Sequence, residues 1–512
     1  MNIKKSNLLK IPLAPIFFAV SSILVLFFHN ISELSLQMLI VPFLGTIIFS
    51  ISVTFIFSFI FKSSTKTNLF SSIFMVMFFS FRDVASILGN KTILAVGFIL
   101  ILVLLFFVIK KTSRKLLQIT KFLFLVSGLA LIIPVLQITY FELTQRSLPP
   151  AISQLKVESV QDLNKDDFSD IYYIILDSYS APKILNNAFG YDDSGFVNFL
   201  EEKGFYLASD SASNYPKTFL SVTSTLNMEY LDYLSNHKNS SDQTAVGPLI
   251  ENNNVLRFLK SIGYRYYQMG SWWGLTKFNK LADKNYILEK ENKLGINQFS
   301  FLALQSTMAN PIITRLFPQK VLGYTPSDKL KRIVYQFETF PEVIKNPGPK
   351  FVFSHIIAPH GPYVFGKNCE FITREQTKKK SDEENYLNQL NCINTKMKTV
   401  VNLIFENSEK PPIILIQSDE GPGFFNERLK PWDNWKTASD TTLKNKFPIL
   451  TAFYLPNLKK TNLYSSISPV NSFRVILNDY FFTNLPLLED KHYIFSDLKH
   501  LYQFTDVTNK LK

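Results

Sequence analysis

The sequence is poor in cysteine, which limits how its fold can be stabilised. Cys369 and Cys392 are the only two among 512 residues, too few for a disulfide scaffold or a zinc ribbon. Internal repeats are also absent, and the only low-complexity tracts are apolar. The length exceeds what one folded unit needs. We therefore expect more than one region, each with its own hydrophobic interior.

Composition divides the chain into two parts. The first 145 residues are mostly Phe, Ile, Leu and Val, whereas the remainder is a mixed sequence of globular type. The net charge is +13 and the pI is about 9.3. Many basic residues flank the apolar stretches and do not mark one soluble face, so a membrane explains the charge better than nucleic acid does. We expect no nucleic-acid partner.

Five apolar stretches in region 1–145 predict membrane-spanning helices, since a span needs about 20 apolar residues. They are residues 12–29, 36–61, 69–89, 92–109 and 120–140. Arg82 and Asp83 interrupt the third stretch; they could lie at an interface or pair with each other, and this span could be re-entrant. The spans are expected to anchor the chain, because a channel or transporter would need more paired charges inside them.

The loops between these stretches predict the orientation. Lys and Arg gather at the N-terminus and in the second and fourth loops, while the alternate loops carry Glu33 or mixed charges. Positive loops face the cytoplasm. With five spans, the N-terminus is cytoplasmic and everything after residue 141 lies outside the cell membrane. Loss of the third span would remove that placement.

The second part begins with a polar segment, 146–167, that is expected to be a linker. Residues 168–512 then form the predicted extracytoplasmic domain. Four of its segments are apolar on consecutive residues, as in parallel strands buried on both faces. They are 171–176, 351–357, 412–416 and 450–455. The intervening segments are long enough for crossover helices, which predicts a doubly wound α/β sheet.

Polar residues follow three of these strands. Asp177 ends the first, His355 and His360 lie in and after the second, and Asp419 with Glu420 follow the third. Ligands bind at the carboxyl ends of such strands. Adjacent carboxylates repel each other and lose solvation, so they need a cation, which predicts a divalent metal. The alternative is a solvated Glu420 beside an Asp419 that caps a turn or helix.

Thr218 is the candidate nucleophile. Pro216 suits a turn into a first helical turn, which places Thr218 at or near a helix N-terminus. The helix dipole and a nearby metal would favour its alkoxide, and free N–H groups could hold a phosphate. Ordinary helix capping is the alternative. Ser213 and Ser221 are lesser candidates, and Lys217 could contact an anionic substrate or simply be exposed.

Together these motifs resemble the alkaline phosphatase superfamily, in its membrane-anchored sulfatase-like branch with lipoteichoic acid synthases and phosphoethanolamine transferases. Four segments between about 168 and 495 carry the resemblance: "IILDSY", "TFLSVTS", "SHIIAPHGPYVF" and "QSDEGP". It implies that Asp177 is a metal ligand and Thr218 the nucleophile. It also implies substrate or leaving-group contacts from His360 and His355.

Two departures from that pattern matter. The superfamily usually has His after the metal Asp, where this chain has Glu420. The expected ligands, Asp177, Thr218, Asp419 and Glu420, are then all oxygen donors, which favours Mn, Mg or Ca over Zn. The Cys/Ser-x-Pro-x-Arg pattern of formylglycine sulfatases is also missing, so that chemistry is not expected.

The expected function is metal-dependent transfer of a phospho-head group, of phosphoglycerol or phosphoethanolamine type, to a cell-envelope lipid or glycan. A phosphoester hydrolase on the same site and an inactive membrane scaffold are the alternatives. Trp272 and Trp273 could line a sugar or lipid cleft, or pack in a core; of the two, we expect Trp273 at the substrate. Cys369 and Cys392 flank a charged run, expected to be solvated, and could form a disulfide or stay as thiols.

Overall fold

A computed structural model describes ten stretches of the chain. They are residues 12–88, 91–112, 116–145, 153–157, 168–237, 239–288, 297–311, 326–423, 434–458 and 462–512. Most of the predicted linker 146–167 lies outside the described residues. The chain divides into one unit of Met1–Ser147 with Glu291–Tyr324 and another of Leu148–Lys290 with Thr325–Lys512. The first unit thus includes a segment that the sequence analysis left inside the second domain.

The α-helices are numbered in chain order. They are α1 (Leu13–His29), α2 (Leu36–Phe61), α3 (Ser64–Phe79), α4 (Phe81–Leu88), α5 (Lys91–Lys111), α6 (Leu117–Thr144), α7 (Pro182–Phe189), α8 (Ser194–Glu202), α9 (Thr218–Asn227), α10 (Gly247–Glu251), α11 (Asn254–Ser261), α12 (Gly274–Lys277), α13 (Gln298–Ser306), α14 (Pro326–Ile344), α15 (Arg374–Thr377), α16 (Asp382–Asn407), α17 (Asp440–Lys446), α18 (Pro469–Phe481) and α19 (Thr508–Leu511).

Three described helices are long and apolar enough to cross a membrane: Leu36–Phe61, Ile93–Lys111 and Leu117–Thr144. Helix α1 is apolar but shorter, at 17 residues. The predicted third span, 69–89, is wrong as a single helix, because α3 ends at Phe79 and α4 begins at Phe81. Asp83 lies in the first turn of α4, where the helix dipole favours an acidic residue. The number of spans and the orientation stay predictions.

Within the first unit, the described part of Glu291–Tyr324 packs on the apolar helices. The Phe299 ring meets Phe27 edge-on with centroids 5.4 Å apart. The Asn297 amide donates to the Met38 carbonyl oxygen at 2.9 Å, and the same side chain caps α13. These contacts explain why this segment belongs with the N-terminal helices.

The second unit is built on a seven-stranded mixed sheet of order β2-β7-β6-β1-β5-β3-β4. The strands are β1 (Ile171–Leu176), β2 (Tyr206–Leu207), β3 (Arg265–Met269), β4 (Lys284–Tyr286), β5 (Lys350–Ile356), β6 (Ile413–Gln417) and β7 (Thr451–Tyr454), and a separate pair is β8 (Tyr493–Phe495) with β9 (Phe504–Asp506). Strand β1 pairs in parallel with both β5 and β6. The predicted strand 450–455 exists as β7, but it is antiparallel to β6 and corrects the all-parallel expectation.

Both faces of the sheet are covered, which confirms the predicted α/β class. Alternate residues of a strand point to opposite faces. Tyr173 of β1 packs in one core with Phe219 of α9 and Phe473 of α18. Ile174 packs in the other core with Ile393 of α16. All residues of β1, β5 and β6 are buried, as the apolar runs predict.

Candidate active site

The carboxyl ends of the three central strands bring the predicted polar residues together. In the parallel register, Ile175 of β1 lies opposite His355 of β5 and Gln417 of β6. Just beyond β1, the Asp177 amide donates to the Ile356 carbonyl at 3.0 Å, and the His360 amide donates to the Asp177 carbonyl at 3.0 Å. Asp177 is therefore fixed by its backbone to the exit of β5.

A sharp turn at Ser178 connects the residues that follow β1 with those that follow β6. Ser178 has a φ of 68°, a left-handed conformation uncommon for residues other than glycine. Its amide donates to Asp419 Oδ1 at 3.3 Å and its hydroxyl to Asp177 Oδ1 at 2.9 Å. The Tyr179 amide donates to Ser418 Oγ at 2.8 Å. The turn thus links the two carboxylates through one residue.

Two overlapping groups of side chains are spaced as ligands of one metal ion would be. Asp177, His355 and Asp419 form one group, and Asp177, His360 and Glu420 form the other, with donor atoms all within 4.8 Å of one another in each. His355 Nε2 lies 3.4 Å from Asp177 Oδ2. Its Nδ1 lies 2.8 Å from Thr276 Oγ1, which orients the ring toward the carboxylates.

Thr218 is the first residue of α9, with Lys217 as the N-cap. Its hydroxyl is near enough to Asp419 to act to lower the pKa of that carboxylate. The structure therefore brings the predicted nucleophile to the acidic cluster. The alternative hydroxyls of Ser213 and Ser221 are buried and have no hydrogen-bond partner among the described residues.

The three carboxylates differ in their pKa values. Burial and the charge of Asp177 raise the pKa of Asp419 to about 6. Burial also raises the pKa of Glu420 to about 7, although Lys446 and Lys217 oppose this. Burial would raise the pKa of Asp177 too, but the nearby histidines and Ser178 hold it well below its usual value. Charge in this cluster is costly without a cation.

Glu420 has a buried basic partner that the sequence analysis missed. Lys446 Nζ lies 3.1 Å from Glu420 Oε2, with both side chains almost fully buried, and donates to the Gly421 carbonyl at 2.6 Å. The Gly421 amide donates back to the Lys446 carbonyl at 3.0 Å. A Cβ at Gly421 would lie 2.3 Å from that carbonyl oxygen, so only glycine fits there. No sequence signal separates Lys446 from exposed Lys444, two residues earlier in α17.

A second missed lysine supports the segment that carries His360. Lys329 is buried and donates to the His360 carbonyl at 2.7 Å; the Gln389 amide donates to the same oxygen at 3.0 Å. Burial lowers the pKa of Lys329 to about 7, against the charge of Asp177. Lys329 Nζ also lies 5.7 Å from the ring centroid of Trp272. These contacts fix the strand exit that presents the imidazole.

The tryptophan predicted to meet substrate lies beside the cluster. The Trp273 ring is edge-on to the His355 ring, with centroids 5.9 Å apart, and it is only partly buried. It also packs against the hydrophobic core, so both interpretations of this residue have structural support. Its substrate role stays a prediction.

The residues of this cluster fit a divalent metal ion. Asp419 Oδ2 is buried and makes no hydrogen bond within the described part of the chain. His355 Nε2 and Glu420 Oε2 are also buried, and their contacts are the ion pairs with Asp177 and Lys446. Ligands bonded to one ion at about 2.0–2.6 Å cannot be more than about 5 Å apart, and both groups meet that limit. Each group also holds an imidazole. The sequence analysis expected only oxygen donors, whereas the structure makes nitrogen donors available as well.

Comparison with known proteins agrees with this architecture. Residues 169–464 match the Sulfatase family, which is more than half of the chain. The chain therefore belongs to the sulfatase family, within the alkaline phosphatase superfamily, and the predicted resemblance is confirmed. It is a sulfatase-like phosphotransferase or hydrolase of a metal-dependent family. A search of curated proteins found no match.

Several solved structures are similar to this chain at low sequence identity. The C-terminal periplasmic domain of EptC from Escherichia coli in complex with Zn is 12% identical over 70% of this chain and 96% of that one, with a TM-score of 0.44. The integral membrane lipooligosaccharide phosphoethanolamine transferase A from Neisseria meningitidis is 12% identical over 91% and 94%, with a TM-score of 0.41. The putative sulfatase yidJ from Bacteroides fragilis is 12% identical over 67% and 84%, with a TM-score of 0.40.

Proposed function

We propose that this protein transfers a phospho-head group to a cell-envelope lipid or glycan through a covalent intermediate on Thr218. One observation carries the proposal: Thr218 opens helix α9, near enough to Asp419 in the acidic cluster for its hydroxyl to favour the ionised carboxylate. A hydroxyl in that position has the helix dipole on one side and a carboxylate on the other. That arrangement suits an activated nucleophile.

The metal would be held by Asp177, Asp419 and Glu420, with Thr218 as a fourth oxygen donor and His355 or His360 within reach. When bound, a divalent ion lowers the pKa of the hydroxyl and offsets charge on the phosphoryl oxygens. Oxygen donors favour Mn, Mg or Ca. Because imidazole is a common ligand of Zn, Zn is also a candidate. The metal content of the purified chain decides among these ions.

The chain's own residues then carry the chemistry. Thr218 Oγ1 forms a bond to phosphorus as the bond to the leaving oxygen breaks, and Asp419 accepts the hydroxyl proton. His360 donates a proton to the leaving oxygen. An acceptor alcohol gives its proton to His360 and attacks phosphorus as the bond to Thr218 Oγ1 breaks, and Asp419 returns its proton to that oxygen. Amide N–H groups in the first turn of α9 hold the phosphoryl oxygens.

Three further residues are proposed to contact the substrate. Lys217 is half-buried at the start of α9, and its charge acts on Glu420, so it lies near enough to attract an anionic head group. Trp273 and His355 form an edge-on pair beside the cluster. An aromatic face there suits a sugar or an acyl-glycerol surface.

The location of the site follows from the rest of the chain. The apolar N-terminal helices give the protein its membrane character, so membrane lipids are the proposed donors. Cys369 and Cys392 form a disulfide with Cα atoms 5.0 Å apart. Disulfides persist in oxidising compartments, which supports a cytoplasmic N-terminus and an extracytoplasmic catalytic domain. We propose no role in nucleic-acid binding.

Mass spectrometry of the full chain after incubation with membrane lipids tests the proposal. We expect a phosphoryl-type adduct on Thr218 that is absent in Thr218→Ala and present in Thr218→Ser. An adduct on another residue would overturn the nucleophile. Release of the adduct to water but not to lipid or glycan alcohols would indicate the hydrolase. A chain with neither bound metal nor adduct would indicate the scaffold.

A further inference from the structure

Lys446 and the 419–421 segment are joined by more contacts than an ordinary surface lysine makes. The side chain forms an ion pair with Glu420 at 3.1 Å and a hydrogen bond to the Gly421 carbonyl at 2.6 Å. The backbones are joined by a further hydrogen bond of 3.0 Å from Gly421 to Lys446. With 0% of its residue surface exposed, Lys446 cannot be serving as a solvated charge.

The charges of the site give this pair a purpose. Asp177, Asp419 and Glu420 contribute three negative charges when ionised, and a divalent ion offsets two of them. A site with one excess negative charge would repel an anionic phosphoester. Lys446 removes that excess when it is protonated.

We infer that Lys446 is a charge-balancing residue: it lets a carboxylate at position 420 serve as a metal ligand without making the loaded site repel its anionic substrate. The inference rests on the proposed function and extends it to the way in which the site tolerates Glu420. Lys217 is the other cation acting on Glu420. It is half-exposed, so solvent and salt weaken its effect relative to that of Lys446.

Four variants of the full chain separate charge balance from mere packing. They are Lys446→Met, Glu420→Gln, the double variant, and Lys444→Met as a matched control. Lys444 lies on the same helix, but its side chain is exposed and donates to the Lys512 carbonyl. Calorimetry would measure Mn²⁺ binding to the metal-free chain, and then inorganic phosphate binding to the Mn²⁺-saturated chain. Neither measurement needs turnover.

Charge balance predicts opposite effects on the two ligands. Lys446→Met should bind Mn²⁺ as tightly as the parent or tighter, yet bind phosphate about tenfold more weakly, as expected for one charge at about 10 Å in an effective dielectric near 20. Glu420→Gln should bind Mn²⁺ about tenfold more weakly and phosphate at least as tightly. The double variant should return phosphate binding to within about threefold of the parent.

Two results would overturn the inference. One is Lys446→Met weakening Mn²⁺ and phosphate together, which is the pattern of a packing residue. The other is a double variant that binds phosphate no better than Lys446→Met. If Lys446→Met fails to fold, the parent, Glu420→Gln and double variants still decide, because the double variant has no unpaired buried charge. Compensation without an adduct on Thr218 would uphold this inference and reject the proposed transfer.

Discussion

The central part of the sheet has acidic residues near both ends of its strands, and the two ends differ in how those acids are satisfied. Before β1, Asp170 accepts a salt bridge from Lys350 Nζ at 2.7 Å and a hydrogen bond from the Lys350 amide at 3.1 Å. Lys350 also donates to the Asn346 carbonyl at 2.9 Å. Beyond the carboxyl ends, Asp419 Oδ2 is buried and lacks a hydrogen bond among the described residues, and Glu420 Oε2 has the ion pair with Lys446.

That difference separates an acid that stabilises the fold from acids that await a ligand. A buried ion pair with its hydrogen bonds complete is self-sufficient. Buried oxygens without partners are rare and costly, and they call for an explanation such as a bound ion. We call the end with Asp170 and Lys350 the fastened end and the end with Asp177, Asp419 and Glu420 the binding end. Perturbing each end separately should change different properties.

The largest effect is expected at the fastened end. Asp170→Asn leaves Lys350 as a buried cation without its counter-charge, which should lower the free energy of unfolding by about 3 kcal/mol. Denaturant unfolding of the metal-free full chain would measure this, while calorimetry should find Mn²⁺ affinity within about twofold of the parent.

Lys284→Met is the control for that experiment. It breaks the exposed Lys284–Glu342 pair of 2.7 Å and should change stability by less than about 0.5 kcal/mol. A large loss of Mn²⁺ affinity in Asp170→Asn would mean that the two ends are not independent.

A smaller but more specific effect is expected at the binding end. Asp419→Asn keeps an oxygen that can accept from Ser178 but removes the charge. Mn²⁺ affinity should fall by about 100-fold, because loss of even a residue that only hydrogen-bonds to a metal ligand can cost that much. The metal-free variant should be no less stable than the parent, because a buried charge that repels Asp177 is gone. An unchanged Mn²⁺ affinity would remove Asp419 from the ligand set.

The smallest effect per residue concerns pH. Because Asp419 and Glu420 have raised pKa values of about 6 and about 7 in the folded chain, the folded state keeps protons that the unfolded state releases between about pH 4 and pH 7. Unfolding free energy of the metal-free chain should therefore fall, by about 2 kcal/mol for each of the two carboxylates, as pH rises through that window. The lowered pKa of Asp177 acts below it.

Added Mn²⁺ supplies the control for the pH experiment. Binding to the ionised carboxylates should restore stability at pH 7. The pKa of Asp193 is also raised by burial, to about 6, so its share of the pH dependence should persist with metal present. Stability that rises from pH 4 to pH 7 without metal would contradict the assignment.

The sequence predicts the central strands well because burial on both faces leaves a visible apolar run. The run 171–176 coincides with β1, and the other two central strands are displaced by one residue. Strand β3 was missed because Arg265 and Gln268 interrupt its pattern. Gln268 is buried, and its amide donates to the Thr276 carbonyl at 2.6 Å. An apolar run also carries no direction, which is why β7 was expected to be parallel.

The candidate site likewise contains residues that the sequence predicts and residues that it does not. Asp177, Thr218, Asp419 and Glu420 lie at strand or helix ends that composition marks, so pattern and resemblance find them. Their roles as ligands and nucleophile stay predictions. Residues that reach the site from the middle of a helix, such as Lys329, have no such mark. Only the folded topology brings a lysine of α14 to the exit of β5.

The left-handed turn at Ser178 has a consequence for how this scaffold can change. Strand β1 is held in register by neighbours on both sides, and a slip of one position would move every side chain to the opposite face. The positions of the residues just after β1 are thus set by a rigid, buried strand. Substitutions after β1 can change the chemistry of the site while the strand itself stays unchanged. New activities should therefore arise there more readily than new architectures.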